Sequence, residues 1–373
     1  MSTDSDLLVL GGGAIGLTVA WRASLSGLTV TLIDPTPGSG AMWAAAGMLA
    51  SAAESHFGEE HHVALLSAAS DRWNSFSREI EGDTGLNIAY EQNGTLLVGL
   101  DRGDRLEVER SVEFQRSLGH SVTDIDLENL SEVEPALLST ISVAKQLHND
   151  HHVDPRALGR ALLAALELNN VALRTSPADS LTQSASGVEV TLGDGSVIRG
   201  DRAVVSMGAH TNFLETANPL PQIRPVKGHI LRLQGPVLLK HTIRGLVHGR
   251  SVYLVQRKTG EIVLGATVEE KGFDRTVRAG EVFRLLDDAR RIIPGVDELE
   301  LVETSVGLRP GSHDNAPVVE WAEEGRVLVA TGHYRNGILL APLTADLVVD
   351  MLQDRPSVHQ ELFVSAHSHR RSS

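Results

Sequence analysis

Short apolar runs separated by glycine dominate the N-terminal third, and the first of them sets the frame. Leu7-Leu8-Val9-Leu10 is followed by Gly11-Gly12-Gly13-Ala14-Ile15-Gly16, an apolar helical stretch, and then Val30-Thr31-Leu32-Ile33-Asp34. Apolar runs of this length bounded by glycine predict buried strands, and the stretch between them predicts a crossover helix over 14–26 that Gly27 stops. After a loop at 35–40, positions 41–50 are rich in alanine. They suit either a small-residue core helix or backbone lying against a flat ligand. Leu65, Leu66, Ala69, Trp73, Phe76 and Ile80 recur at helical spacing over 62–81. A short strand at 95–98 and a charged helix over 101–118, ended by Gly119, come next. Asp154-Pro155 reads as an N-cap followed by proline at the first helical position, opening a helix to 168.

A strand at 171–174 precedes a hairpin of 188–192 and 196–199 around Gly193-Asp194-Gly195, and 203–206 reads as a further buried strand. Beyond Pro219 strands take over at 228–233, 251–256 and 261–267, followed by a helix at about 279–292. A buried-type strand at 327–330 and an amphipathic helix at 337–352 close the pattern, and the polar tail from Ser365 is expected to be disordered. Strand–helix units at both ends with antiparallel strands between them predict an α/β chain. It would be a Rossmann-type nucleotide domain into which an α+β second domain of mainly antiparallel sheet is inserted. The expected division assigns 1–85, 145–222 and 305–365 to the nucleotide domain, 86–144 and 223–304 to the second domain, and 366–373 to a disordered tail.

The opening unit carries chemistry as well as fold. Gly11 permits the tight turn, Gly13 lets backbone approach a pyrophosphate, and Gly16 lets the helix pack close to the strand. The free amides and positive dipole end at Ala14 would face the phosphates, and Asp34 at the end of the second strand suits ribose hydroxyls. Dinucleotide binding follows.

Composition narrows the partners. The net charge of −15 disfavours nucleic acid and anionic membrane surfaces. The absence of cysteine excludes disulfides, Cys-based metal sites and a thioether-linked cofactor. With the first strand so near Met1 there is no room for a signal peptide, and no apolar run reaches a membrane span, so a soluble cytoplasmic protein is expected. Homo-oligomer formation stays open.

The run His148-Asn149-Asp150-His151-His152, with Asp154 beyond it, invites a metal reading. It precedes a helix and so lies in a loop, where histidines are usually solvated, and no metal is expected. Neither a G-x-S-x-G elbow, a P-loop nor H-E-x-x-H occurs. Two arginines stand out: Arg309 in Gly307-Leu308-Arg309-Pro310-Gly311, and Arg335 in Gly332-His333-Tyr334-Arg335-Asn336-Gly337. In glycine-bounded turns either could hold a carboxylate by two parallel hydrogen bonds. Tyr253 starts a strand, where core packing is the default. The helix from Gly337 would bring its N-terminal amides to whatever ligand the preceding turn touches; for a flavin, that dipole favours the reduced, negative ring.

Together these residues resemble the D-amino-acid oxidase-like flavoprotein family, and within it the glycine-oxidase branch of thiamine biosynthesis. The similarity runs over nearly the whole chain. It rests on Gly11–Gly16, on Ala44-Ala45-Ala46-Gly47-Met48-Leu49, on Pro225-Val226-Lys227-Gly228, on 307–311, and most specifically on the segment from Gly332 to Pro342. The resemblance implies non-covalent FAD. Its adenosine end would lie near Gly11, Gly13, Ala14, Ile15, Gly16, Asp34 and Pro35, with a backbone contact at Ala178. Ala46, Gly47, Met48, His333, Tyr334, Arg335, Asn336, Gly337, Ile338 and Leu339 would approach the flavin. Ala41 and Met42 are further cofactor positions; with Trp43 they stand where family members often have small hydroxyl residues. Ser251 and Val268 fall at pocket positions that vary.

The resemblance further implies that Arg309 holds a substrate carboxylate, with Arg335 and Tyr253 shaping the pocket. Hydride transfer from glycine to flavin N5 would give an imine, then glyoxylate and ammonia, with oxygen reduced to hydrogen peroxide. No side-chain acid or base would be required. The imine would feed thiazole formation. The alternatives are an oxidase or dehydrogenase for sarcosine, proline or a D-amino acid, a nicotinamide-dependent dehydrogenase, and a flavin-binding subunit whose partner does the chemistry.

Overall fold

The structure is a computed structural model and describes residues 5–322 and 325–366. Strands Ser5–Leu10 and Val30–Ile33 pair in parallel, with helix Ala14–Leu25 crossing between them. Both strands are buried on both faces, as all-apolar runs require and as a helix-covered parallel sheet provides. Across this layer the order is Ala172–Arg174, Val30–Ile33, Ser5–Leu10, Val197–Val205, Val327–Thr331 and Val318–Trp321, parallel except at the last pair. Helix Gly337–Leu352 lies on Ala14–Leu25, and Val63–Thr84 and Pro155–Leu168 pack beside them around Leu17, Trp21, Trp73, Phe76 and Leu162.

The strands expected separately at 196–199 and 203–206 form one strand, Val197–Val205. Its first part pairs with Gly187–Leu192 and its second part enters the parallel sheet. Gly200, in between, does not break it: a Cβ there would press into the Leu8 side chain at 2.7 Å, so glycine serves close approach rather than a turn.

A second, eight-stranded sheet runs in the order Glu300–Gly311, Arg224–Gln234, Glu261–Gly265, Arg250–Gln256, Thr242–Val247, Thr95–Gly99, Val143–Leu147, Val122–Asp124. It is antiparallel except between Thr242–Val247 and Thr95–Gly99. One face packs on helix Ala279–Arg290 through Leu231, Leu254, Leu264 and Leu285. Because side chains alternate along strands, the other face carries Arg244, Tyr253, Val255, Ile230, Arg232, Gly307 and Arg309 in register. That face turns to the alanine-rich segment, where Ala44, Ala46, Ile230, Val255 and Val263 form one buried cluster.

Three expectations are corrected. Arg309 lies within strand Glu300–Gly311, not in a turn; the glycines beside it serve close packing, Gly307 against Ala44 and Gly311 against Arg224. The helix in the alanine segment stops after five residues, Gly40–Ala44, and Gly47 at φ +78° redirects the chain into the short strand Met48–Leu49. Of the tail expected to be disordered from Ser365, Ser365 closes helix Gln360–Ser365 and Ala366 is buried; the rest of it, 367–373, lies outside the described residues. No helix among the described residues is long and apolar enough to cross a membrane.

Candidate active site

The first strand, the glycine turn and the first helix build a cradle. Gly11 adopts φ +104°, and helix Ala14–Leu25 starts directly after Gly13 with no side-chain cap. Its first amides, at Ala14, Ile15 and Gly16, therefore lack intrahelical partners. A Cβ on Gly16 would overlap the Gly11 carbonyl, so helix and strand approach as only glycine allows. A Cβ on Gly13 would meet nothing within 4 Å. Open space thus stands before the positive helix end, where an anion is favoured. Asp34 Oδ2 accepts the Gly12 amide at 2.6 Å and Oδ1 accepts the Thr36 amide at 2.7 Å, which fixes the carboxylate beside the turn ahead of Pro35. Ala178 opens the strand Ala178–Ser184 and is buried with Leu10 and Ile33.

Arginines anchor the segment that follows. The Trp43 carbonyl accepts from Arg156 Nε at 3.1 Å and Arg232 Nη2 at 3.2 Å, and the Ala46 carbonyl accepts from Arg257 Nη2. Arg156 also stacks on Trp43 at 3.8 Å and grips Glu303 with two bonds of 2.6 and 2.9 Å. Ala41 and the buried Met42 belong to the short helix, and Met48, Tyr253 and Ala266 each pack against the cluster of Ala44, Ala46, Ile230, Val255 and Val263. A cleft of about 480 Å³ opens between Thr36, Ser39, Gly40 and Ala44 on one wall and Thr304, Ser305 and Val306 on the other.

The turn at 332–337 arrives from the C-terminal side. A bridge between Gly311 and His333 seats it beside the end of the Arg309 strand. His333 is buried with Nε2 3.0 Å from Thr344 Oγ1, and burial pushes its pKa down to about 3, so the ring is neutral. Tyr334 adopts φ +48°, and helix Gly337–Leu352 begins after Asn336 with Ile338 and Leu339 buried.

The two arginines singled out by sequence differ sharply. Arg309 lies flat against Gly228, where a Cβ would collide with its guanidinium, and Nη1 donates to the Thr267 carbonyl at 3.2 Å. Among the described residues no carboxylate pairs with it. Arg335 is held instead by Glu54 at 2.8 Å and Glu59 at 3.5 Å. The Tyr253 hydroxyl sits over Gly265. Burial raises its pKa, with Arg309 and Arg244 pulling the other way, so at neutral pH it is a hydrogen-bond donor and not a base.

Sequence reasoning missed the supports. Glu54 is buried and also binds Arg244 at 2.6 Å. Asp150, from the histidine run, accepts the Ala52 and Ala53 amides at 2.9 and 2.8 Å, while burial raises its pKa to about 6. The neighbouring His151–His152 pairs with Met48–Leu49 as a short strand. An acid directly after an alanine-rich stretch and an arginine two places beyond Val255 were the available signals.

A glycine-turn nucleotide layer facing an antiparallel sheet that presents an acid-free arginine defines a redox enzyme built around a dinucleotide cofactor. The chain belongs to the FAD dependent oxidoreductase family, whose profile matches residues 6–351, and FAD is its cofactor. It is 30% identical to a glycine oxidase of Geobacillus kaustophilus over 93% of each chain. The crystal structure of glycine oxidase from that organism superposes with a TM-score of 0.88 at 28% identity, covering 95% of this chain and 96% of that one. A bifunctional ThiO/ThiG protein of Nostoc is 31% identical over 94% of this chain, which spans 53% of that protein's length.

Proposed function

We propose that this chain oxidises glycine, and sarcosine as a close analogue, to the imine, which hydrolyses to glyoxylate and ammonia (methylamine from sarcosine) while oxygen is reduced to hydrogen peroxide. The observation that carries the reading is Arg309: a half-buried guanidinium on the sheet face turned to the alanine-rich segment, with no acid paired to it among the described residues. Two parallel hydrogen bonds from it would fix a carboxylate in plane, and the protonated Tyr253 hydroxyl would add a third donor. Bound FAD supplies the hydride acceptor. Orientation of this kind contributes about 7–11 kcal/mol to a bond-breaking step.

The cofactor's diphosphate would meet the amides of Ala14, Ile15 and Gly16 across the open face of Gly13, and its ribose would meet Asp34, with Gly11, Pro35, Ala41, Met42 and Ala178 nearby. Ala46, Gly47, Met48 and the segment 333–339 would border the flavin ring. In this reading 1–85, 145–222 and 305–365 chiefly hold cofactor, and 86–144 and 223–304 substrate, with both divisions moved to strand ends: Val143–Leu147 and Glu300–Gly311, which carries Arg309, belong whole to the substrate sheet. The glycine-oxidase and ThiO names of the relatives support supply of the imine to thiazole formation. Absence of cysteine suits a reducing cytoplasm.

Peroxide release by the flavin-loaded chain, assayed across glycine, sarcosine, proline and D-alanine, tests the proposal. Glycine and sarcosine should lead; activity confined to proline or D-alanine, or to none, contradicts it.

A further inference from the structure

We propose that Glu54 sets the substrate class of this site by rejecting a second negative charge, so that small monocarboxylates enter and dicarboxylates do not. The inference rests on Arg309 being the carboxylate anchor. Arg244 stands directly opposite Tyr253 in the sheet, on the same face, so its side chain borders the space that Tyr253 and Arg309 define. Arg335 reaches the same place from the 332–337 turn. Two further guanidinium groups beside a carboxylate anchor would make a strong site for a second carboxylate. Glu54 prevents that.

One oxygen of Glu54 takes Arg244 at 2.6 Å and the other takes Arg335 at 2.8 Å, while Glu59 adds a second acid on Arg335. His56 Nε2 lies 3.6 Å from the same carboxylate. Arg244 and Arg335 therefore face Glu54 and Glu59, with the buried Asp150 a further acid behind them, and of these three arginines only Arg309 has no acid paired to it among the described residues. The carboxylate is held in place from behind: the buried Asp150 accepts the amides of Ala52 and Ala53, pinning the turn that carries Glu54. The two arginines hold the Glu54 carboxyl ionised despite its burial. A ligand with one carboxylate neutralises Arg309; a ligand with two brings its second charge against Glu54.

The test uses the flavin-loaded full chain and two carboxylates that carry no amine, glycolate and malonate, titrated by their perturbation of the flavin spectrum. Wild type should bind glycolate at least tenfold more tightly than malonate. Glu54→Gln should collapse that ratio to near one or invert it, by gaining malonate. Arg244→Gln, which leaves Glu54 less neutralised, should widen the ratio at least threefold, and it decides the matter if Glu54→Gln fails to hold flavin. Equal binding of the two ligands by wild type overturns the proposal, as do binding of neither, an unchanged ratio in Glu54→Gln, or a narrowed or unchanged one in Arg244→Gln. Glycine turnover measured alongside separates the two readings: its absence sinks the proposed reaction, while the carboxylate ratio judges Glu54 independently.

Discussion

Arg309 and Arg335 look alike in sequence, each flanked by glycine, and differ in what the fold brings to them. Gly228 lets the Arg309 guanidinium lie on the sheet, with no acid paired to it among the described residues. Arg335 meets Glu54 and Glu59, nearly three hundred positions earlier in the chain. Local sequence carries the first fact and cannot carry the second. The same holds for Arg244 and Glu54, which are 190 residues apart. Gly228 gives a test that leaves Arg309 itself intact. Its backbone is extended, so alanine is conformationally acceptable, yet the added methyl would occupy the guanidinium's place. Gly228→Ala should raise the KM for glycine about tenfold or more, the worth of a displaced charged hydrogen bond, with FAD content unchanged. An unchanged KM in steady-state assays would show that the arginine's seat does not matter.

At the scale of elements, periodicity was enough for the long helices. Val63–Thr84 buries the Leu65, Leu66, Ala69, Trp73, Phe76 and Ile80 stripe, and Asp154-Pro155 starts Pro155–Leu168 with its side chain on the Arg156 amide. The strands Val122–Asp124, Val143–Leu147 and Ala178–Ser184 escaped notice because they are short or polar, and neighbouring strands rather than their own pattern hold them. The 332–337 turn owes its seat to buried histidine chemistry. His333, like His152, is neutral with a pKa lowered to about 3 by burial, against roughly 6.5 in an unfolded chain. Between those values the unfolded state binds more protons, so stability is full above the unfolded pKa and falls as pH drops. Each ring contributes a slope of about 1.4 kcal/mol per pH unit there. In urea unfolding at fixed excess FAD between about pH 6 and pH 4, His333→Gln should lose one proton's worth of that slope. An unaltered slope would place the acid sensitivity elsewhere.

Over the whole molecule, a nucleotide layer and a substrate sheet meet across one alanine-rich segment. Arg156, Arg232 and Arg257 grip its carbonyls, and the Arg156–Glu303 pair ties the two layers directly. The glycine turn and Asp34 were legible because they repeat a local backbone requirement. The clamp was not, because its arginines stand 113, 189 and 211 residues from the carbonyls they hold. In the proposed reaction the assembly would supply alignment: a bound redox ring on one side, and on the other a guanidinium that aims a small amino acid. The most direct test mixes glycine with the flavin-loaded chain without oxygen and follows the flavin absorbance, comparing wild type with Arg309→Ala. Wild type should bleach. The variant should keep its FAD yet need roughly a hundredfold more glycine for half-maximal bleaching; bleaching at wild-type glycine concentrations, or none in wild type, contradicts the account.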